Sequence, residues 1–178
     1  MKKEILTHLT FAFIFSIPII FLHWQLKFSL IFFFLGLFFG SLFLDIDHLL
    51  YALFQAPYEF TSQRIKRFFD NKQFKEGIVF LFETQKERTR LVFHSVLFQV
   101  ILLVVCFFIL TSSLSLFGKG MVLGMMLHLL IDQAEEFLRD GEIKNWFWQF
   151  RVKPDKSVQK FYLSFVFLIF LIFCLVLF

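Results

Sequence analysis

Asp45-Ile46-Asp47-His48 sets two carboxylates and an imidazole side by side at the end of an apolar run, Phe28–Leu44. Oxygen and nitrogen donors of this kind bind a divalent cation, hold a water or carry a proton. Their place in the chain favours the cation. A charged side chain at the centre of a bilayer costs about 2.5–3.5 kcal/mol on insertion scales, and less toward the interface. Two carboxylates beside a histidine therefore need compensation, and a bound cation is the simplest form of it. A second pair, His128 and Asp132, is four residues apart, which on a helix puts both on one face with Cβ atoms about 5–6 Å apart. Asp45 and His48 are three apart and share a face as well. Asp47 points roughly opposite Asp45 if the helix continues. It then either faces a second metal, acts as a general base, or accepts a hydrogen bond from the far ring nitrogen of a ligand histidine. His8 and His94 each lie about one turn inside an apolar run. Imidazole and carboxylate without thiolate favour zinc, manganese or iron, with zinc or manganese expected first; magnesium takes fewer histidines.

The elements that must position these groups are apolar segments. About 20 residues cross the hydrocarbon of a bilayer, and five segments reach or approach that length: Ile5–Leu22, Phe28–Leu44 with an extension toward Phe54, Leu91–Leu110, Gly120–Leu138 and Phe161–Phe178. The chain is 58% hydrophobic, against about 45–50% for an ordinary soluble domain. Its 32 phenylalanines follow no repeat and read as lipid-facing bulk. The expectation is a single all-α membrane domain over residues 1–178, a polytopic bundle of about five transmembrane helices. Pro18 should kink the first of them, because it removes a backbone donor and clashes one turn back.

Charge fixes the orientation. The net charge is +4, and the lysines and arginines sit between the apolar runs in no nucleic-acid reading motif. With the N-terminus inside, two of them precede the first span, eight lie in Gln55–Arg90 and six in Arg139–Lys160, so the cytoplasm holds 16 of the 18 and only Lys27 and Lys119 fall outside. The positive-inside rule then selects one orientation, N-terminus inside and C-terminus outside, and the expected location is the cytoplasmic membrane of a bacterium or archaeon. Trp24 at one boundary, and Trp146, Trp148 and Tyr162 at the other, fit aromatic anchoring. Lys2 and Lys3 before an apolar run resemble a signal peptide. The run ends Phe21-Leu22-His23-Trp24 with no small-residue cleavage site, so an uncleaved span is expected. Cys106 and Cys174 have no partner spacing and imply neither a disulfide framework nor a thiolate zinc site. In Gln55–Arg90, Ile65, Phe68, Phe69, Ile78, Val79 and Phe82 alternate with basic residues. That pattern fits amphipathic helices lying on the cytoplasmic membrane surface, basic side chains toward anionic headgroups.

This topology, drawn from lysine and arginine alone, brings His8, Asp45, Asp47, His48, His94, His128 and Asp132 to one leaflet. His23 falls at the opposite boundary and has no role. Glu135 and Glu136 extend the acidic face of the fourth span, as further ligands or as the water boundary.

At these residues the chain resembles the membrane-bound metal-dependent hydrolases of the YdjM type. Their motifs are an N-terminal Thr-His or Gly-His, Leu-Pro-Asp-Ile-Asp-His, His-Arg-Gly-x-x-His-Ser and Gly-x-x-x-His-x-x-x-Asp. Here they read Thr7-His8, Phe43-Leu44-Asp45-Ile46-Asp47-His48, Thr89-Arg90-Leu91-Val92-Phe93-His94-Ser95 and Gly124-Met125-Met126-Leu127-His128-Leu129-Leu130-Ile131-Asp132. Leu44 stands where the family has proline, Thr89 and Leu91 where it has histidine and glycine, and Glu135 where it usually has threonine. The resemblance implies a hydrolase of unspecified substrate, with His8, Asp45, His48, His94, His128 and Asp132 holding one or two divalent cations. Asp47 is then the general base or the group that orients a ligand. A lipid-linked ester or phosphoester suits a site at headgroup depth, with Arg64, Lys66, Arg67, Arg88 and Arg90 available for phosphate. Two other readings stand beside it. One is a non-catalytic metal-binding or ion-handling protein, since intramembrane Asp and His also mark ion pathways. The other is polar helix glue, worth only about 0.6 kcal/mol per contact on average, which leaves the clustering in one leaflet unexplained. Nothing in the residues sets an oligomeric state.

Overall fold

The computed structural model describes residues 2–22, 30–112 and 115–176, and every regular element among them is helical. In chain order these are α1 (Lys2–Leu22), α2 (Leu30–Phe43), α3 (Ile46–Leu50) running into a π-helical turn (Tyr51–Gln55), α4 (Phe60–Asp70), α5 (Phe74–Glu83), α6 (Val96–Ser112), α7 (Leu116–Asp140) and α8 (Lys156–Val176). Short 3₁₀ turns at Gln85–Glu87 and Lys144–Phe147 precede α6 and α8. His23, Trp24 and Lys27 lie outside the described residues. α1 continues through Pro18 as one helix.

Among the described residues, two segments are long and apolar enough to cross a membrane, Leu30–Gln55 and Lys156–Leu175; Leu6–Ile17 and Val96–Ser112 are apolar but shorter. Of the five expected spans, these two meet the requirement on helix length and composition. α7 is long enough, but Asp132, Glu135 and Glu136 interrupt its second half.

α7 is the central helix and packs against α1, α2, α6 and α8, most extensively against α2. The reason lies in four glycines. A Cβ built on Gly36 or Gly40 would fall 2.1 or 2.0 Å from the carbonyl oxygens of Phe117 and Met121. One built on Gly120 or Gly124 would fall 2.0 or 2.2 Å from those of Phe33 and Leu37. Only hydrogen fits in that space, so the two backbones touch, as small residues at four-residue spacing permit. Along this seam Phe33 meets Gly120, Leu37 meets Gly124 and Ser41 meets His128. Both chains advance together, so α2 and α7 run parallel.

The outer faces of α1, α2, α6 and α8 carry exposed Phe11, Phe13, Phe32, Phe39, Phe107 and Phe161, among other large apolar side chains. α4 and α5 form a hairpin on a separate small core of Ala52, Ile65 and Leu81. Phe54, Tyr58, Phe60 and Phe74 project outward from it.

One expectation fails at the start of the third apolar run. α6 begins at Val96, and Leu91–Ser95 is not helical, so His94 lies on a loop and not one turn into a helix. The backbone N–H groups of Val92, Phe93 and His94 donate to the Asp47 carboxylate at 3.3, 2.5 and 3.2 Å and are thereby diverted from a helical ladder. Ser95 Oγ then accepts from Phe98 N at 3.3 Å, a side-chain cap that starts α6.

Candidate metal centre

Gly120, Gly124, His128 and Asp132 are four apart and form one ridge of α7. The glycines close the seam with α2; the next two positions meet the place where α2 ends. Leu44 and Asp45 form a turn between α2 and α3, and this break sends Asp45 and Asp47 different ways. Asp45 Oδ1 lies 3.8 Å from His128 Nε2. Asp47 is fully buried and takes the loop that carries His94.

The structure thus brings His8, Asp45, His48, His94, His128 and Asp132 together. Asp132 Oδ1 is 3.2 Å from His8 Nε2, and its Oδ2 is 3.1 Å from both His94 Nε2 and His128 Nε2. The two imidazole nitrogens are themselves 3.2 Å apart. All four histidines are buried, and the His8 ring stacks on His128 with centroids 4.1 Å apart.

The outer hydrogen bonds assign the tautomers. His128 Nδ1 is 2.7 Å from the carbonyl oxygen of Ser41, which can only accept, so Nδ1 carries a proton and Nε2 faces the cluster. His94 Nδ1 is 3.3 Å from Asp47 Oδ2, an oxygen that already accepts backbone N–H groups, so this ring too is protonated on Nδ1. Both Nε2 atoms and Asp132 Oδ2 therefore face one another at hydrogen-bond distance. Atoms of this kind at that range are held together by a cation or a proton at their focus. Ligand histidines characteristically donate the far ring nitrogen to a carbonyl or carboxylate, as both do here.

A cleft of about 400 Å³ opens onto this group. Trp146 forms one wall, buried, with its ring edge-on to His94 at 5.8 Å and its Nε1 donating to Glu136 Oε2 at 2.9 Å. Trp146 is therefore not a boundary anchor. Trp148 donates to the Leu91 carbonyl at 2.8 Å and Tyr162 to Gln99 Oε1 at 2.6 Å, so both are tied inward as well. Their polar tips find partners within the chain and have no need of the headgroup region. Glu136 holds Trp146 and Asn145, while Glu135 lines the cleft.

Of the five cations expected for phosphate, Arg88 reaches this cleft. Its guanidinium is buried, donates to the Leu81 carbonyl and Thr84 Oγ1 at 2.8 and 2.7 Å, and leaves Nε without a partner. Burial holds its pKa below the ordinary arginine value. Arg64 instead covers the Phe80 ring at 4.7 Å and, with Arg67, lines a second pocket on the α4–α5 hairpin. Lys86 and Arg139 stand at the site cleft in place of the expected Lys66 and Arg90.

Sequence reasoning missed several supports of the site. Ser41 acts through its carbonyl and Trp146 reaches His94 from a turn between helices, and neither has a sequence signal. Gln99 and Gln133, both fully buried, exchange amide hydrogen bonds at 3.2 and 2.7 Å between α6 and α7. Two glutamines in apolar runs were a readable sign of such a pair. Comparison with protein-family models, curated proteins and solved structures finds no match for this chain.

Proposed function

We propose that the chain is a membrane-embedded, divalent-metal-dependent hydrolase, a bundle of about five spans with its N-terminus and its metal site on the cytoplasmic side. The observation that carries this reading is the convergence of His94 Nε2, His128 Nε2 and Asp132 Oδ2 within 3.1–3.2 Å of one another. A bound cation would supply Lewis acidity and a water of lowered pKa. The imidazole-rich donor set fits zinc or manganese better than magnesium or calcium.

The chain's own residues supply the rest. His8, Asp45, His48, His94, His128 and Asp132 hold the metal, and Asp47 orients His94 and fixes its tautomer. The Asp47 oxygens are fully engaged there, accepting three backbone N–H groups and the His94 ring, which favours a positioning role over that of general base. Trp146 shields the His94 side from water. Lys86, Arg88 and Arg139 at the cleft favour an anionic ester, and the apolar exterior favours a lipid-borne one. A phosphoester with an acyl or prenyl tail combines both properties.

The test is metal analysis of the detergent-purified protein beside Asp45→Ala and His128→Ala, followed by hydrolysis assays on phospholipid and prenyl-phosphate substrates. Metal in the wild type, lowered in both variants, together with turnover abolished by chelation, is the expected result. Equal metal content in all three rejects the ligand set, and metal without turnover of any of these substrates favours the non-catalytic reading. Cysteines placed at Lys119 and Lys156 should be labelled from opposite sides of the membrane; labelling from one side rejects the topology.

A further inference from the structure

We infer that the site is built for two cations, with Asp132 as the carboxylate between them. This rests on the metal reading above and adds a stoichiometry to it. The potential ligand atoms do not collect around one point. They fall into two groups, His8 with His128 and Asp132, and Asp45 with His48 and His94, the atoms of each group lying within 4.8 Å of one another. Zinc–nitrogen and zinc–oxygen bonds are about 2.0–2.2 Å, so ligands on opposite sides of one ion are about 4.2 Å apart at most. One such ion takes the atoms of one group; the six residues do not form a single group at that range.

Asp132 reaches both groups. Its Oδ1 is 3.2 Å from His8 Nε2, and its Oδ2 is 3.1 Å from both His128 Nε2 and His94 Nε2. A carboxylate presented in this way can lie between two ions. The first ion then has His8, His128 and Asp132; the second has Asp45, His48, His94 and Asp132.

His48 is the independent sign of the second ion. It is 8% exposed, its Nδ1 has no hydrogen-bond partner, and its ring centroid is 5.5 Å from that of His94. A buried imidazole with an unpartnered nitrogen is not explained by packing. Next to Asp45 and His94 it is explained as a ligand.

Charge leads to the same stoichiometry. The cleft is lined by five carboxylates and three lysines or arginines. One divalent ion only balances the excess of acid. A second makes the cleft cationic and so attractive to an anionic ester. The histidine that Thr89 replaces in the hydrolase motif is not needed for either group, since each has its three donors without residue 89.

The experiment is metal counting. Full-length protein in detergent is stripped with chelator, reloaded with manganese(II), freed of excess, and assayed for manganese per chain and by electron paramagnetic resonance. Two ions per chain and an exchange-coupled spectrum are expected for the wild type. His48→Ala and Asp45→Asn should each hold one ion with the spectrum of an isolated centre, and Asp132→Ala should hold neither firmly. One ion per saturated wild-type chain overturns the inference and leaves the hydrolase reading standing. No ion at all overturns both. His48→Ala retaining two ions also overturns it, and because the wild-type count decides by itself, a variant that fails to fold does not obscure the answer.

Discussion

Gly40→Ala adds one methyl group where the two ligand-bearing helices touch. The new Cβ would sit 2.0 Å from the Met121 carbonyl oxygen, and side-chain Cβ atoms essentially never come within 3.0 Å of such a neighbour. The obstacle is backbone, so no rotamer change relieves it. α2 must withdraw from α7 by about 1 Å, and overpacking of this kind costs about 1–3 kcal/mol. The larger effect falls on the site. Ser41, the next residue, accepts from His128 Nδ1 at 2.7 Å; a retreat of about 1 Å stretches that bond beyond the hydrogen-bond range and frees the imidazole to turn. Metal sites tolerate ligand displacements of only about 0.2 Å, and loss of an outer partner alone lowers affinity about 10–100-fold. Gly40→Ala should therefore lose at least that factor in manganese or zinc affinity, measured by competition with a chelating dye, while far-ultraviolet circular dichroism still reports a helical protein. Gly118→Ala is the internal control. Its Cβ would meet nothing nearer than Ser115 Oγ at 3.5 Å, an ordinary contact, and alanine is favoured over glycine in a helix by about 0.5–1 kcal/mol. It should bind metal like the wild type. If Gly40→Ala also binds metal with wild-type affinity, the seam does not set the ligand geometry and the coupling of helix contact to metal binding is refuted.

Three further outcomes are expected. Asp47→Asn keeps the size of the side chain but replaces one acceptor oxygen by a donor aimed at backbone N–H groups. It should lower metal affinity about 10–100-fold; unchanged metal content with lost turnover would instead assign Asp47 to proton transfer. Gln133→Leu strands part of the Gln99 amide and should destabilise the protein by about 1–3 kcal/mol. Removing both glutamines together should cost less than the sum of the single changes in a denaturation series; strict additivity would dissolve the proposed pair. Gly141 ends α7 with φ 70° while its N–H donates to the Phe137 carbonyl at 2.8 Å. Gly141→Ala should cost about 1 kcal/mol through the left-handed backbone alone, leaving metal content untouched, and no change in the unfolding midpoint would contradict that cause.

The helical class was legible because long apolar runs leave few alternatives, and the pairs Asp45/His48 and His128/Asp132 were legible because three- and four-residue spacings define a helix face. His94 was legible as a member of the cluster but not in its setting. Hydropathy treats Leu91–Leu110 as one run, yet its first turn is unwound by Asp47, some 45 residues earlier. Periodicity records only what a segment does with its own neighbours. Trp146 was misread for the same reason. A tryptophan at the end of an apolar stretch has the composition of an interface anchor, and only the turn at Lys144–Phe147 directs it onto His94.

The α7 ridge shows where that limit lies. Gly120, Gly124, His128 and Asp132 are one pattern of period four, visible in the chain without any structure. Taken alone, the pattern says that one helix face is small in its first half and ligating in its second. Its meaning depends on a partner face of the same period, Phe33, Leu37, Ser41 and Asp45, lying alongside in parallel. With that partner the glycines and the ligands are no longer two features. Close contact in the first two turns delivers the α2 carbonyl to His128 and the Asp45 carboxylate to the same cleft in the next two. The chemistry at the end of the ridge is then set by the absence of side chains at its beginning. A change eight residues from the nearest ligand on α7, Gly120→Ala, should consequently disturb metal binding as Gly40→Ala does, since its Cβ would fall 2.0 Å from the Phe33 carbonyl oxygen.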